Sequence, residues 1–253
     1  MRAELVLARP LAPADAGAPP VAARIAALAW GRIAAELDGF GAAATGPLLT
    51  AAECRDLASR YGDDTAFRSR VVMARHGFGR GEYKYYAYPL PEPIASLRRS
   101  LYPHLAPIAN RWEETLGREG AFPAEHGTYL ERCHAAGQKR PTPLLLRYGE
   151  GDFNCLHQDL YGELSFPLQV AFLLSRPGED FTGGEFVLTE QRPRMQSRAE
   201  VVSLRQGEGV IFAVNHRPMQ GERGSYRVAM RHGVSRLRSG ERFTLGVIFH
   251  DAA

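Results

Sequence analysis

Apolar residues recur at helical spacing in the first part of the chain. Over residues 21–38 this spacing predicts one helix, and Gly39 and Gly41 are signals for its end. Thr50 and Glu53 have the spacing of a capping box, so a second helix is predicted from there to about residue 61. These helices are expected to support a sheet that later residues form.

A third helical pattern covers residues 94–116, where Pro103 and Pro107 predict a break or a kink. Ahead of it, residues 77–91 combine glycines with a tyrosine-rich stretch. This segment is interpreted either as a strand or hairpin that joins the main sheet, or as a loop that covers the substrate. The first 20 residues, rich in alanine and proline, are predicted to be a mobile leader.

The second half of the chain has strand patterns instead. Residues 209–214 are an apolar run that ends in a turn, and a further strand is predicted over residues 242–249. In residues 227–234 every second side chain, including Met230 and His232, is expected to lie on one face. Several short antiparallel strands of this kind predict a barrel or a sandwich.

His157 and Asp159 are candidate metal ligands, because side chains two positions apart on an extended chain project to the same face. A third ligand must come from another strand. His232 is chosen because its strand face is otherwise apolar. His216 is interpreted as a residue that follows a strand and does not bind the metal, and His250 as a tail residue. Two imidazoles and one carboxylate on one face of a metal are typical of a non-haem iron(II) centre. The pattern therefore predicts an oxygenase.

Arg242 and Thr244 fall on one side of the last predicted strand. A guanidinium is planar and permanently charged, so it can bind a carboxylate in a bidentate way. Both side chains are therefore expected to reach a bound dicarboxylate.

These residues carry a family resemblance. The segment from about Arg147 to Asp251 resembles the iron(II)- and 2-oxoglutarate-dependent dioxygenase superfamily, nearest to its prolyl-hydroxylase-like branch. Residues 75–85, 156–163 and 231–236 resemble, more narrowly, a bacterial family of such oxygenases that is described as acting on damaged nucleic acid. That narrower resemblance covers most of the chain.

The resemblance implies an α+β fold with a double-stranded β-helix core, of the jelly-roll or cupin-like type, and N-terminal buttressing helices. One domain is expected over residues 1–253. Residues 21–140 would supply helical support and the candidate substrate loop, and residues 141–253 the β-helix core with the metal site.

The resemblance also implies the roles of the site residues. His157, Asp159 and His232 would bind Fe(II). Dioxygen would be the co-reactant, and ascorbate is a candidate reductant. Arg242 matches the residue that binds the distal carboxylate of 2-oxoglutarate, and Thr244 resembles the hydroxyl that assists it. Tyr148 resembles a tyrosine that hydrogen-bonds the same carboxylate, and a core aromatic role is its alternative.

The implied activity is hydroxylation of a small molecule, an amino acid or a protein side chain, with release of succinate and CO2. One alternative is oxidative demethylation of damaged or modified nucleic acid, and another is a non-catalytic metal-binding or oxygen-sensing barrel. Alkylation-repair members carry a second arginine shortly after the one that Arg242 matches, and this chain lacks it. The single arginine favours the hydroxylase.

Composition excludes few classes of protein. A hydrophobic content of 45% and a charged content of 23% are ordinary for a globular protein, and a net charge of +3 is too small to predict a nucleic-acid partner. Cys54, Cys133 and Cys155 suggest neither a disulfide framework nor a zinc motif. Without a signal peptide or a long apolar run, a cytoplasmic location and no membrane partner are expected. The oligomeric state is left open.

Overall fold

The computed structural model describes residues 17–118, 122–222 and 224–253, so most of the predicted leader lies outside the described residues. The helices are α1 (Val21–Ala26), α2 (Trp30–Phe40), α3 (Ala51–Ser59), α4 (Ile94–Thr115) and α5 (His126–Ala135). The first strands are β1 (Ala42–Pro47), β2 (Phe67–Val72), β3 (Gly79–Arg80), β4 (Glu82–Tyr86), β5 (Leu144–Tyr148), β6 (Phe153–His157) and β7 (Leu168–Leu173). The remaining strands are β8 (Phe181–Gly183), β9 (Phe186–Gln191), β10 (Arg198–Val202), β11 (Glu208–Ala213), β12 (His216–Gly221), β13 (Gly224–Val234), β14 (Leu237–Gly240) and β15 (Arg242–Val247).

Two antiparallel sheets form the centre of the molecule. The larger sheet has the strand order β1-β11-β7-β15-β5-β4-β2, and the smaller has the order β10-β9-β13-β6-β3, with β12 paired to β13. Strands that are distant in sequence are neighbours in both sheets, as in a jelly roll. Helices and sheets together confirm the predicted α+β class with a jelly-roll core.

The strand patterns of the second half are confirmed. Every residue of β11 is buried between β1 and β7, as its apolar run predicts. On β13, Val228, Met230 and His232 are buried while their neighbours Arg227 and Arg231 are exposed. The alternation therefore turns one apolar face, with a single histidine, to the interior.

The two N-terminal helix predictions have different outcomes. Helix α3 begins as predicted, because Thr50 accepts a hydrogen bond from the backbone of Glu53 and the Glu53 side chain accepts one from the backbone of Thr50. The single helix predicted over residues 21–38 is instead two helices, α1 and α2. Helix α2 ends at Gly41, whose positive φ of 77° is the left-handed conformation that favours glycine.

Helix α4 contradicts the predicted break, because it runs without interruption through Pro103 and Pro107; the kink stays a prediction. Both prolines lie on its exposed side, one turn apart. A proline leaves the carbonyl oxygen four residues earlier without its helical donor, and on the exposed side water can satisfy that oxygen. The opposite face, which includes Leu101, Leu105 and Trp112, is buried and holds the helix against the core.

The region predicted as helical support also contributes strands. Strand β1 pairs with β11, and β4 lies between β2 and β5, so both extend the larger sheet. Residues 82–86 thus join the main sheet, as the strand interpretation of this segment predicted. None of the helices in the described ranges is both long and apolar enough to span a membrane.

His250 is not a tail residue, and that interpretation is wrong. It is fully buried, and its Nδ1 accepts a hydrogen bond from the backbone N–H of Phe166 at 3.1 Å. The next residue, Asp251, is also buried and pairs with Arg98 of α4 at 2.7 Å. Helix α4 therefore anchors the segment that follows β15.

Candidate metal centre

A cavity of about 300 Å³ lies between the two sheets. From the smaller sheet it is lined by residues of β6, β9 and β13, and from the larger sheet by residues of β4, β5, β7, β11 and β15. Most of its wall is apolar, with a small number of polar groups. A cavity of this size with few polar groups is typical of a site for a small molecule.

Three side chains meet on the side of the smaller sheet. His157 is the last residue of β6 and faces His232 of β13 directly across the strand pair, with their ring centroids 4.2 Å apart. The Asp159 carboxylate lies 3.4 Å from His157 Nε2 through Oδ1 and 3.3 Å from His232 Nε2 through Oδ2. One donor atom of each residue lies within 4.8 Å of the other two. His216 lies outside this group, at the start of β12.

Hydrogen bonds of the two rings bear on which nitrogen is available to a metal. His157 Nδ1 lies 2.8 Å from the carbonyl oxygen of Cys155, so Nδ1 donates to this oxygen and Nε2 is the nitrogen that would bind a metal. His232 Nδ1 is buried without a hydrogen-bond partner among the described residues, and its Nε2 faces Asp159. Both histidines thus direct Nε2 toward the carboxylate.

The three residues shift one another's pKa values, and the result is an ionised Asp159 beside the two imidazoles. Burial pushes the pKa of Asp159 up, but hydrogen bonds from His157 and His232 outweigh it and hold the pKa well below the usual range. Burial lowers the pKa of His232, although Asp159 opposes that shift. The pKa of His157 is raised, because its hydrogen bond to Asp159 and the charge of Asp159 outweigh its burial. An ionised carboxylate between two imidazoles suits a divalent cation of the iron(II) type.

The opposite wall of the cavity carries a buried cation. Arg242 of β15 is 2% exposed, and its Nη1 donates a hydrogen bond to Thr244 Oγ1 at 2.6 Å. Tyr148 of β5 is the cross-strand partner of Arg242, and its ring centroid lies 5.6 Å from the guanidinium carbon. The structure thus brings the three predicted cosubstrate residues together on the larger sheet, opposite the smaller sheet that carries His157 and His232.

The polar atoms on this wall fit a carboxylate ligand. Arg242 Nε and the Tyr148 hydroxyl are buried, and within the described parts of the chain neither has a hydrogen-bond partner. Burial lowers the pKa of Arg242, yet a guanidinium stays charged in proteins. A buried, unpaired positive charge is unfavourable, and a bound carboxylate would compensate it.

Sequence reasoning missed a further polar residue of this wall, Gln169 of β7. It is buried, it lines the cavity, and its Nε2 has no partner among the residues that the structure describes. The signal was present in the sequence, since Gln169 is the one polar residue of the strand Leu168–Leu173. Cys155, two residues before His157 on β6, is exposed.

Two large, exposed apolar side chains line the cavity, those of Phe78 and Leu160. Phe78 is 48% exposed and Leu160 56% exposed. The Phe78 ring stacks on His76, with centroids 5.3 Å apart and planes 24° from parallel. Exposed apolar groups grouped in this way mark a surface that contacts a ligand or a partner.

A protein family described as "Oxygenase, catalysing oxidative methylation of damaged DNA" matches residues 81–252, a range that includes all six predicted site residues. The chain belongs to this oxygenase family. It is similar to proteins of two Mycobacterium tuberculosis strains, which are described as uncharacterized. Each is 54% identical over 165 residues, covering 65% of this chain and 71% of the relative.

Solved structures agree on the fold of this oxygenase. A prolyl-4-hydroxylase from Pseudomonas putida has a TM-score of 0.50 at 14% identity, covering 88% of this chain and 99% of that one. An oxidoreductase of the 2OG-Fe(II) oxygenase family from Burkholderia pseudomallei has a TM-score of 0.51 at 17% identity, covering 88% and 92%. With the family match, the chain is an oxygenase, and these solved structures show its fold. The alternative of a non-catalytic barrel is thereby set aside.

Proposed function

We propose that His157, Asp159 and His232 bind iron(II), and that Arg242 binds the distal carboxylate of 2-oxoglutarate across the same cavity. The observation that carries the proposal is that a cluster of metal-binding donors faces a buried guanidinium whose Nε has no hydrogen-bond partner among the described residues. When bound, iron(II), 2-oxoglutarate and dioxygen would supply the oxidising power for a C–H bond, with release of succinate and CO2.

The remaining residues of the cavity have positioning roles in this proposal. Thr244 fixes the Arg242 guanidinium through the 2.6 Å hydrogen bond, so the charged fork meets its carboxylate in one orientation. The Tyr148 hydroxyl, which has no partner among the described residues, would donate to the same carboxylate. The apolar wall limits the access of water and thereby strengthens these polar contacts.

We propose hydroxylation of a small molecule, an amino acid or a protein side chain as the reaction. The small, largely apolar cavity and the single strand-borne arginine support this assignment. Ascorbate is proposed as the reductant that maintains ferrous iron. Cell extract incubated with the protein, iron(II), ascorbate and 2-oxoglutarate should contain a product heavier by one oxygen atom, detected by mass spectrometry. A product that has only lost a methyl group would contradict hydroxylation as the net outcome.

The metal ligands can be tested separately from the substrate. Alanine substitution of His157, Asp159 or His232 should each abolish iron-dependent formation of succinate from 2-oxoglutarate. His216→Ala is the matched control, since His216 lies on β12 outside the metal group. Substantial succinate formation by any of the three variants would remove that residue from the ligand set.

Oxidative demethylation of nucleic acid is the second candidate, because the description of the family names damaged DNA as the substrate. Phe78 is exposed, and Arg75 and Arg80, which are close to it in sequence, are exposed as well. Aromatic rings with cations are typical of sites that stack unpaired bases. This candidate predicts binding of single-stranded DNA that weakens steeply with added salt. Absence of binding at low salt, measured by fluorescence anisotropy, would contradict it.

A further inference from the structure

Asp159 differs from the two histidines in how the fold holds it. His157 and His232 are strand residues paired across β6 and β13, but Asp159 follows β6 in a segment without regular structure. A loop carboxylate has more rotational freedom than a strand side chain, and ordering it costs conformational entropy. Its orientation must therefore come from contacts outside the strand ladder.

Gln158 supplies the first of these contacts. Its side-chain amide donates hydrogen bonds to two backbone carbonyl oxygens, that of Met230 at 2.8 Å and that of Asn215 at 2.9 Å. Met230 lies two residues before His232 on β13. Gln158 thus ties the backbone between His157 and Asp159 to the strand that carries the remaining histidine.

Tyr161 supplies the second contact. Its hydroxyl donates a hydrogen bond to Asp159 Oδ1 at 2.9 Å, while Oδ2 faces His232. The Tyr161 ring is held in turn by an edge-on contact with Tyr85, with centroids 6.1 Å apart, and lies 6.0 Å from the ring of His250. Because its ring is packed, the hydroxyl restricts rotation of the carboxylate.

We propose that Gln158 and Tyr161 act together as positioning residues for Asp159, an arrangement we call the Asp159 clamp. This inference rests on the proposed iron site and adds two residues that determine how tightly and in what geometry the metal is bound. Hydrogen-bond partners of metal ligands of this kind typically change metal affinity 10–100-fold, roughly, when they are removed. Neither residue is a ligand itself.

The test is a titration of the full-length, metal-free protein with cobalt(II), followed by calorimetry and by the visible absorption of the bound ion. Tyr161→Phe removes only the hydroxyl and should raise the cobalt dissociation constant by about 10-fold or more, with an altered absorption spectrum. Gln158→Met keeps the chain length, loses both hydrogen bonds and should weaken binding in the same direction. Tyr86→Phe is the matched control, since the buried Tyr86 hydroxyl has no partner among the described residues.

Thermal unfolding of the metal-free proteins separates positioning from folding. The clamp predicts that Tyr161→Phe changes cobalt affinity and spectrum while its unfolding midpoint stays within a few degrees of the unsubstituted protein. If Tyr161→Phe and Gln158→Met both bound cobalt with unchanged affinity and spectrum, the clamp would be refuted and the iron site would stand. If the unsubstituted protein bound no cobalt, the iron site and the clamp would fail together.

Discussion

Acidification is expected to destabilise the metal-free protein through two buried histidines, His126 and His250. The side chain of His126 is 6% exposed and that of His250 is fully buried. Burial, followed by the positive charge of Arg98, lowers the pKa of each ring from 6.5 to about 4. In the unfolded chain both rings are solvated and return to the ordinary value.

The sign and the size of the effect follow from these pKa values. Between pH 6.5 and 4 the unfolded chain binds a proton at each ring and the folded chain does not, so stability falls as the pH falls through this window. The full shift corresponds to about 3 kcal/mol for each ring, of which about 2 kcal/mol is lost between roughly pH 7 and pH 5. Most carboxyl groups remain ionised over that interval, so the histidines dominate.

The structure gives the molecular reason at His250. Its Nδ1 accepts the backbone N–H of Phe166, so a proton on Nδ1 would oppose that donor. Its Nε2 has no partner within the described residues, so the extra charge would have no compensating hydrogen bond. Protonation of this ring is therefore unfavourable in the folded protein.

Urea unfolding of the protein and of His250→Gln, with a chelator present, measures the effect. A glutamine can still accept the Phe166 N–H but does not titrate. The free energy of unfolding should fall by about 2 kcal/mol less in the variant than in the unsubstituted protein between roughly pH 7 and pH 5. Equal losses in the two proteins would show that His250 is not held neutral by its surroundings, and the reasoning would be wrong.

Three further substitutions have defined outcomes. Arg242→Lys keeps the charge but loses the bidentate fork, so the KM for 2-oxoglutarate in a succinate assay should rise about 10-fold or more; an unchanged KM would contradict the carboxylate role. Gly240→Ala would place a Cβ 2.0 Å from a backbone oxygen at a φ of +80°. Gly178 has a similar φ of +82°, but no atom lies close to where its Cβ would be, so Gly240→Ala should lower the thermal midpoint more than Gly178→Ala. Equal midpoints would contradict the close approach. Asp251→Asn removes the buried partner of Arg98 and should cost about 3–5 kcal/mol in urea unfolding, and a loss below about 1 kcal/mol would mean that this pair is solvated.

Much of the candidate site could be predicted because its residues interrupt simple patterns. His232 is the polar exception on an apolar strand face, and Asp159 lies two positions beyond His157. Spacing alone could not give the pairing of His157 with His232, because register depends on which strands become neighbours. Nor could it place Asp159 beyond the end of β6, where the clamp and not the strand orients it.

The wrong predictions, for the prolines of α4 and for His250, have a different origin. They depend on the surroundings of each segment in the folded protein. Pro103 and Pro107 predict a break only if water cannot reach the carbonyls that they leave free, and both lie on the exposed side of α4. His250 follows the last long strand and lacks a periodic pattern of its own. Its burial comes from α4 and α5, whose contacts with this segment involve Arg98 and His126. Contacts between segments so distant in sequence have no local signature.

His157 and His232 lie on one sheet and Arg242 on the other, so the spacing of the two sheets limits the length of a molecule that bridges the proposed iron site and Arg242. On the proposed assignment, a five-carbon keto diacid spans the gap between the sheets with both ends engaged. We therefore expect a four-carbon or a six-carbon analogue to bind less well than the five-carbon diacid. Packing between the two sheets would thereby determine which cosubstrate length fits. Substitutions that enlarge or shorten side chains between the sheets should change the preferred length of the diacid.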